Sequence, residues 1–416
     1  MTRALIAAVA TMLLGLTVAR VSAQPAGSTR GEPLQLGVLQ REARDADPRG
    51  RELDLLSQQA DLRLRGIDVE RLPFLSALGQ SQYASDAATA PFNTPTGEPA
   101  FAAPRFTYDA SLRVDQRLYD AALQPRRDLA RADLAESQAR VRTALFAIRQ
   151  EVNDAFFGAV LLQAQLAALT ATLDDLEGRL AETTRRVREG AAVPGDAAAI
   201  EATLLQQRQL AGALRANRRA ALARLSTLTG RAIDADAALA LPDAARPGNL
   251  ETVVRARPEY TQFDRARDRV VSQQAAAKAS DRPQLSAFGR GGYGRPGLNF
   301  ASERAEAYAL AGVQLQWKAW NWGASARERD VLELQQSIVT AEEAAFTSSL
   351  RRAIAADLAT IDHLESALPD DDRIVSLRES IDKAARARLT EGVITASEYL
   401  DRHTEWLQAQ DRKSVV

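Results

Sequence analysis

From Leu145 onward the apolar positions fall in alternating steps of three and four: Leu145, Ile148, Val152, Ala155, Ala159, Leu162, Leu166, Leu169, Leu173, Leu176 and Leu180. A heptad seam of this kind marks a left-handed coiled coil. Between Tyr119 and Gly190 the only Pro is Pro125, near the start, and the only Gly residues are Gly158 and Gly178. The stretch therefore predicts one helix. At 1.5 Å per residue, about 70 residues make a rod of roughly 105 Å, longer than a globular domain needs. A second helix carries the rhythm back at Ala197, Ile200, Leu204, Ala211, Leu214, Ala221, Leu225 and Leu228. Polar Gln207 and Arg218 take two seam places, and Gly230 is its expected C-terminal stop. Rod and return helix make a hairpin over 119–229.

The pattern occurs twice. Pro73-Phe74-Leu75-Ser76-Ala77-Leu78-Gly79, closing at Tyr83, reappears as Pro283-Gln284-Leu285-Ser286-Ala287-Phe288-Gly289, closing at Tyr293. Pro48 and Pro258 share that offset. Val114–Asp120 then matches Leu315–Asn321, and Arg188-Glu189-Gly190 matches Thr390-Glu391-Gly392, at a slightly shorter one. Ordered landmarks of this sort indicate a tandem duplication. The first repeat is read over 24–240 and the second over 241–416. Each runs helix, strand, strand, very long helix, tight turn, returning helix. The second hairpin, 320–416, loses its apolar phase around Pro369-Asp370-Asp371-Asp372, where a kink or break is expected. That acidic triplet reads as a solvated face.

Four strands are expected, at about 73–84, 105–118, 283–293 and 307–318. In the second, Phe106, Tyr108, Ala110, Leu112, Val114 and Leu118 alternate with Arg105, Thr107, Asp109, Ser111, Arg113, Asp115 and Arg117, with Gln116 as the exception. The fourth alternates more weakly, with Ala309, Ala311, Val313, Leu315 and Trp317 on one face. One apolar and one charged face suit a strand between lipid and a watery lumen. The same alternation also suits a half-buried strand of a soluble sheet. Strands of about 10 residues can cross a bilayer when tilted. A membrane barrel must close, and closure begins at about 8 strands, so several chains would have to contribute. Trp317, Trp320 and Trp322 cluster where the second strand pair meets its long helix, with Tyr119 at the matching site of the first repeat. They suit a membrane-interface girdle or simple packing at the joint. Ala84–Pro104 and the shorter Gly294–Ser302 read as loops.

Composition narrows the classes further. Aromatics are 5% and charged residues 26%, a mixture of long helices rather than of compact α/β domains. A net charge of −1 gives no basic face for nucleic acid. Arg3, the apolar run Ala4–Val18 and Val21-Ser22-Ala23 read as an export signal over 1–23, and no later run of about 18 uninterrupted apolar residues follows. There is no Cys, and the only histidines are His363 and His403. His403, in a helical and charged context, reads as a surface residue. No phosphate-cradling loop or metal-ligand cluster is present, so no cofactor or metal is expected, and an enzyme is the least supported class.

From about Pro48 to Gln410 the chain resembles the TolC family of outer-membrane efflux proteins. The resemblance rests on the repeated Pro-x-Leu-Ser strand entries and on the turns Glu189-Gly190-Ala191 and Glu391-Gly392-Val393-Ile394-Thr395-Ala396-Ser397-Glu398-Tyr399-Leu400-Asp401. It implies a mainly α chain with a small β part, three copies of which form a 12-stranded outer-membrane β-barrel continued by an α-barrel across the periplasm. It also implies a passive exit duct that meets an inner-membrane transporter through a periplasmic adaptor, in drug or metal efflux or type I secretion. The family closes its periplasmic end with the hairpins and places acidic residues after the turn glycines; here these are Asp196, Glu398 and Asp401. In a trimer they would form carboxylate rings; as single residues they also suit ordinary helix N-termini. The Tyr and Arg of one familiar gate are replaced by Leu389 and Ile394, which favours apolar closure. The family's adaptor-docking turns correspond to Gly190, Ala191, Ala192 and Val193, and to Gly392, Val393, Ile394 and Thr395; glycine at positive φ also explains the turns.

The second return helix, starting near Ala396, has far less chain than the first, which reads as a truncation. The competing class is a periplasmic adaptor or other exported coiled-coil scaffold. An adaptor normally carries one hairpin between small β domains, whereas two hairpins are expected here, each preceded by paired strands.

Overall fold

The computed structural model describes residues 33–86, Pro95, 103–242, 249–298 and 304–415. The expected export signal, and most of the loops expected over Ala84–Pro104 and Gly294–Ser302, lie outside these residues. In chain order the elements are β1 (Leu34–Gln35), α1 (Leu36–Ala46), α2 (Arg49–Val69), β2 (Phe74–Tyr83), β3 (Phe106–Asp120), α3 (Leu123–Arg188), α4 (Pro194–Thr229), β4 (Leu239–Ala240), α5 (Leu250–Arg255), α6 (Pro258–Ala279), β5 (Gln284–Arg295), β6 (Glu306–Gln316), α7 (Ala324–Thr390) and α8 (Ala396–Val415). The fold is mainly helical, with the duplicated long hairpin as its theme.

α3 spans 66 residues and α7 spans 67, so each rod is about 100 Å long. The heptad seam is their packing face. Leu145, Ile148, Val152, Ala155 and Ala159 are buried with Phe156 in one cluster, where Leu222 and Leu225 of α4 and Leu39 and Ala43 of α1 meet them. Leu169, Leu173 and Leu176 belong to a second cluster toward the turns, with Ile200, Leu204 and Ala211 of α4 and Ala385, Ala396, Tyr399 and Leu400 of the second hairpin. The rods are thus joined near their tips by shared apolar burial. α4 ends at Gly230, which takes φ +66°, a left-handed conformation that stops the helix.

Three sequence expectations are corrected. The break expected at Pro369 does not occur, because α7 is continuous through it. Arg412 Nε lies 3.1 Å from Asp371 and Lys413 Nζ lies 2.6 Å from Asp372, so pairing with α8 carries α7 past the proline. For the same reason Asp371 is not solvated: it is 3% exposed. His403 is not a surface residue but is 2% exposed. α3 has no uninterrupted apolar run of 18 residues, yet it contains a segment long and apolar enough, by length and composition alone, to cross a membrane. Its apolar residues serve the hairpin seam on one side and leave Phe157 exposed on another.

β1 and β4 form a small parallel pair that the alternation did not predict, since two-residue strands have no period. Arg218, one of the polar seam residues, donates to the Ala235 and Ala237 carbonyls at 2.8 and 2.6 Å, and Gln163 accepts from the Leu239 amide at 3.2 Å. The polar seam place therefore anchors the segment that follows α4. The remaining strands form one antiparallel sheet in the order β2-β3-β5-β6.

Leu176 is fully buried where both hairpins meet. Leu176→Ala is expected to cost about 2–5 kcal/mol of local stability. Amide exchange over 169–180 should accelerate accordingly, while exchange near Leu39 stays unchanged.

Candidate functional site

In antiparallel pairs, residues directly opposite each other project to the same side of the sheet. Leu75 pairs with Val114 and Ala77 with Leu112. Gly289 and Gly291 of β5 continue those rows, and Ala311 and Ala309 of β6 finish them. The resulting face is apolar and open: Leu112 is 57% and Val313 66% exposed. The opposite rows carry Ser76, Gln80, Asp109, Ser111, Arg113, Asp115, Arg290 and Tyr308, and Ser111 is only 7% exposed. Phe74, Leu78, Phe288 and Leu310 share that polar face, so the segregation is strong but incomplete. A soluble sheet buries its apolar side. This one leaves its apolar side open, while the polar side chains opposite bond to one another and Phe74, Leu78 and Leu310 stay exposed among them.

The polar face is internally bonded. Asp109 accepts from Arg290 and from the Tyr308 hydroxyl, and Arg290 Nε donates to Ser111 Oγ at 3.0 Å. Arg113 donates to both oxygens of Asp115 at 3.0 and 2.9 Å, and its guanidinium lies 5.0 Å over the Phe288 ring. Gly292 makes room for the cluster: a Cβ there would lie 2.8 Å from Ser111 Cβ and from the Tyr308 ring. Sequence reading found the β3 members of this network but not Arg290 or Tyr308, because the two repeats meet there and no spacing within one repeat shows it.

β3 bulges between Arg117 and Tyr119, which brings Tyr119 opposite Leu285 on the apolar face. Gln116, the exception to the alternation, donates to the Arg71 carbonyl. Tyr119, Trp317, Trp320 and Trp322 are all exposed. Trp320 and Trp322 stack edge to face with centroids 5.9 Å apart, and Trp322 has φ +54° beside Gly323 at the start of α7. The aromatic cluster thus stands free at the strand–helix joint and fills no core.

The two hairpin turns are built alike. The Gly190 amide bonds to Val187 O at 3.1 Å and the Ala191 amide to Arg186 O at 2.8 Å; Gly392 and Val393 repeat this with Leu389 and Arg388. This is the Schellman stop, and it needs the positive φ of Gly190 (+73°) and Gly392 (+76°). Ala191 and Val193 are exposed and Ala192 half-buried at the first tip; Val393 and Thr395 are exposed at the second. At the second tip Thr395 caps α8: its hydroxyl accepts from the Glu398 amide, and Glu398 accepts from the Thr395 amide, both at 3.2 Å. Glu398 therefore has a local capping role, and exposed Asp401 lies one turn further on the same face. Asp196 reaches across the repeats and accepts from the Ala396 amide at 3.1 Å. Leu389 and Ile394 pack half-buried on the core that joins the hairpins, within one protomer.

Further links between hairpins were not legible in the sequence. Arg186 donates to the Leu389 carbonyl at 3.1 Å. Asp175 accepts from Arg386 of α7 and, at 2.6 Å, from Arg179 of its own helix. The Arg179 guanidinium sits 4.2 Å over the Tyr399 ring. Burial pulls Arg179 below its ordinary value, against the pull of Tyr399 and Asp382. Burial pushes Tyr399 above its own, against the pull of Arg179. Among the described residues no cluster of His, Cys, Asp and Glu could hold a metal ion.

Residues 51–231 match the family model described as outer membrane efflux protein. No curated protein matches the chain. Among solved structures, the transmembrane channel CusC is 16% identical, with 91% of this chain and 88% of that one covered at a TM-score of 0.69. The outer membrane protein VceC of Vibrio cholerae is 15% identical, covering 91% of both chains at 0.65. The MtrE outer membrane channel of Neisseria gonorrhoeae, in its open state, is 19% identical, covering 91% and 85% at 0.65. At such identities these likenesses establish a shared fold.

A Cβ at Gly190 or Gly392 meets no clash at the first and only Arg186 at 3.7 Å at the second. Gly190→Ala and Gly392→Ala should therefore each cost about 1–2 kcal/mol through the left-handed backbone alone, seen as faster amide exchange in the last turns of α3 and α7.

Proposed function

We propose that the chain is one protomer of a passive exit duct, a reading supported by the match of residues 51–231 to the outer membrane efflux protein model. Three copies of the four-stranded sheet supply twelve strands, enough to close a barrel in the outer membrane. The long hairpins continue it as an α-barrel through the periplasm. The duct takes cargo from an inner-membrane transporter and a periplasmic adaptor, in tripartite efflux or type I secretion.

One observation carries this reading: the sheet is inside out for water, with its apolar face open and its charged face bonded within itself. Lipid is the solvent that suits the first face and a watery lumen the second. The edges β2 and β6 also need partners, because unpaired backbone groups are not tolerated in hydrocarbon. Neighbouring copies supply them. The exposed Tyr119, Trp317, Trp320 and Trp322 then lie at the membrane interface, where amphipathic rings are favoured.

At the other end, the residues after the turns form the gate. Glu398 and Asp401 repeat around the axis as carboxylate rings, and Asp196 with Leu389 and Ile394 holds the second tip against the first. The tips Gly190–Val193 and Gly392–Thr395 receive the adaptor.

Carbonate should leave the protein in the membrane fraction, and detergent should release a trimer that collapses to monomer on heating. Release by carbonate would favour a soluble scaffold instead. In bilayers, Glu398→Ala with Asp401→Ala should lower cation selectivity several-fold; unchanged reversal potentials would reject the rings. Gly190→Arg and Gly392→Arg should weaken crosslinking to the adaptor, and full retention would count against docking at the tips.

A further inference from the structure

His403 has the burial of a core residue and the chemistry of a switch. It is 2% exposed, on the face of α8 that packs against both long rods. Its ring stacks on Tyr399 with centroids 5.5 Å apart and lies 5.4 Å from the Trp406 ring. Nδ1 lies 2.9 Å from Asp382 Oδ1 on α7. Nε2 is buried and has no protein hydrogen-bond partner. The ring lines a cleft of about 640 Å³ between α3, α7 and α8.

The groups around it are balanced. From α7 come Asp382, Glu379, Lys383 and Arg386; Lys383 is held by Glu379 at 2.6 Å, and Arg386 by Asp175 of α3. α3 also brings Arg179, which pairs with Asp175 and lies over Tyr399. On α8, Lys413 at the far end of the cleft is held by Asp372. α4 adds apolar Leu204 and Ala211 to the adjoining core. The nearby cations therefore have carboxylate partners, and Asp382 is the carboxylate that faces the imidazole.

We propose that His403 is a proton-responsive contact that sets how tightly the second hairpin packs on the first. In the neutral ring, Nδ1–H donates to Asp382 and Nε2 carries a lone pair among aromatic neighbours. A second proton strengthens the bond to Asp382, which lies in the same hairpin. It also creates an Nε2–H donor with no acceptor in the packed arrangement, and a buried donor without a partner is costly. The strain is relieved by letting the ring reach water in the cleft. α8 then stays tied to α7 while its grip on α3 and α4 loosens. Histidine is the side chain suited to take up a proton on mild acidification, so a fall in pH is the signal. The proposal concerns the packing of two hairpins and does not depend on the reading as a duct.

The chain has two histidines, His363 and His403, so full-length His363→Gln in detergent leaves one imidazole to follow by NMR. The resonances of that imidazole report whether the ring takes up a second proton as the pH falls. Amide exchange over 396–412, corrected for its intrinsic pH dependence, should quicken about 10-fold in step with it, relative to exchange over 141–159. His403→Gln should abolish the acid response. If that variant does not fold, Asp382→Asn keeps the ring, removes the carboxylate that favours the second proton, and should diminish the response. A His403 resonance that does not titrate in the folded protein overturns the proposal. So does an acid response over 396–412 that persists undiminished in either variant.

Discussion

The structure depends on a sheet that cannot finish itself. Among the described residues, four strands leave two edges unpaired and one apolar face uncovered, and the long helices pack on one another instead of on the sheet. Hydrogen-bond satisfaction of the edges and burial of the open face must both come from outside the sheet, which is what the proposed membrane barrel would supply. The rest of the chain is consistent with that demand. The joints at Tyr119 and Trp322 turn each ribbon into a rod, and the rods carry the chain away from the sheet.

The rods are held by a seam and then by stitches. The seam is apolar and generic: leucines, isoleucine and alanines at heptad spacing bury against a return helix. The stitches are specific and join the repeats to each other. Asp196 serves the amide of Ala396, Arg186 serves the carbonyl of Leu389, and Asp175 receives Arg386. Apolar burial supplies most of the cohesion, while the polar links fix how far one hairpin may slide on the other.

Much of this was legible in the sequence, for reasons that can be named. The hairpins follow from the three-four rhythm, the strands from the two-residue alternation, and the turns from glycines that accept positive φ at Gly190, Gly230 and Gly392. What escaped was contact between repeats. Periodicity within one segment shows which face is apolar but not what it meets, so His403 read as a surface residue and Asp371 as solvated. Pro369 misled for a related reason: the break it favours locally is outweighed by pairing to α8, a partner that no local window contains. The β1–β4 pair was too short to have a period. At the tips, spacing marked Asp196, Glu398 and Asp401 but left open whether they face a pore or cap helices; the single protomer shows Glu398 in a cap and Asp196 on its neighbour's amide.

The bonding of the polar sheet face has one more implication. Asp109 is answered by Arg290 and Tyr308, and Asp115 by Arg113, all within one sheet. Such a wall presents dipoles rather than net charge, and the field of paired opposite charges decays within a few ångströms. Ions of either sign would meet nearly the same electrostatic landscape along it. In the proposed duct, bore size and hydration would then govern what passes this section, and discrimination by sign would fall to the far end of the molecule.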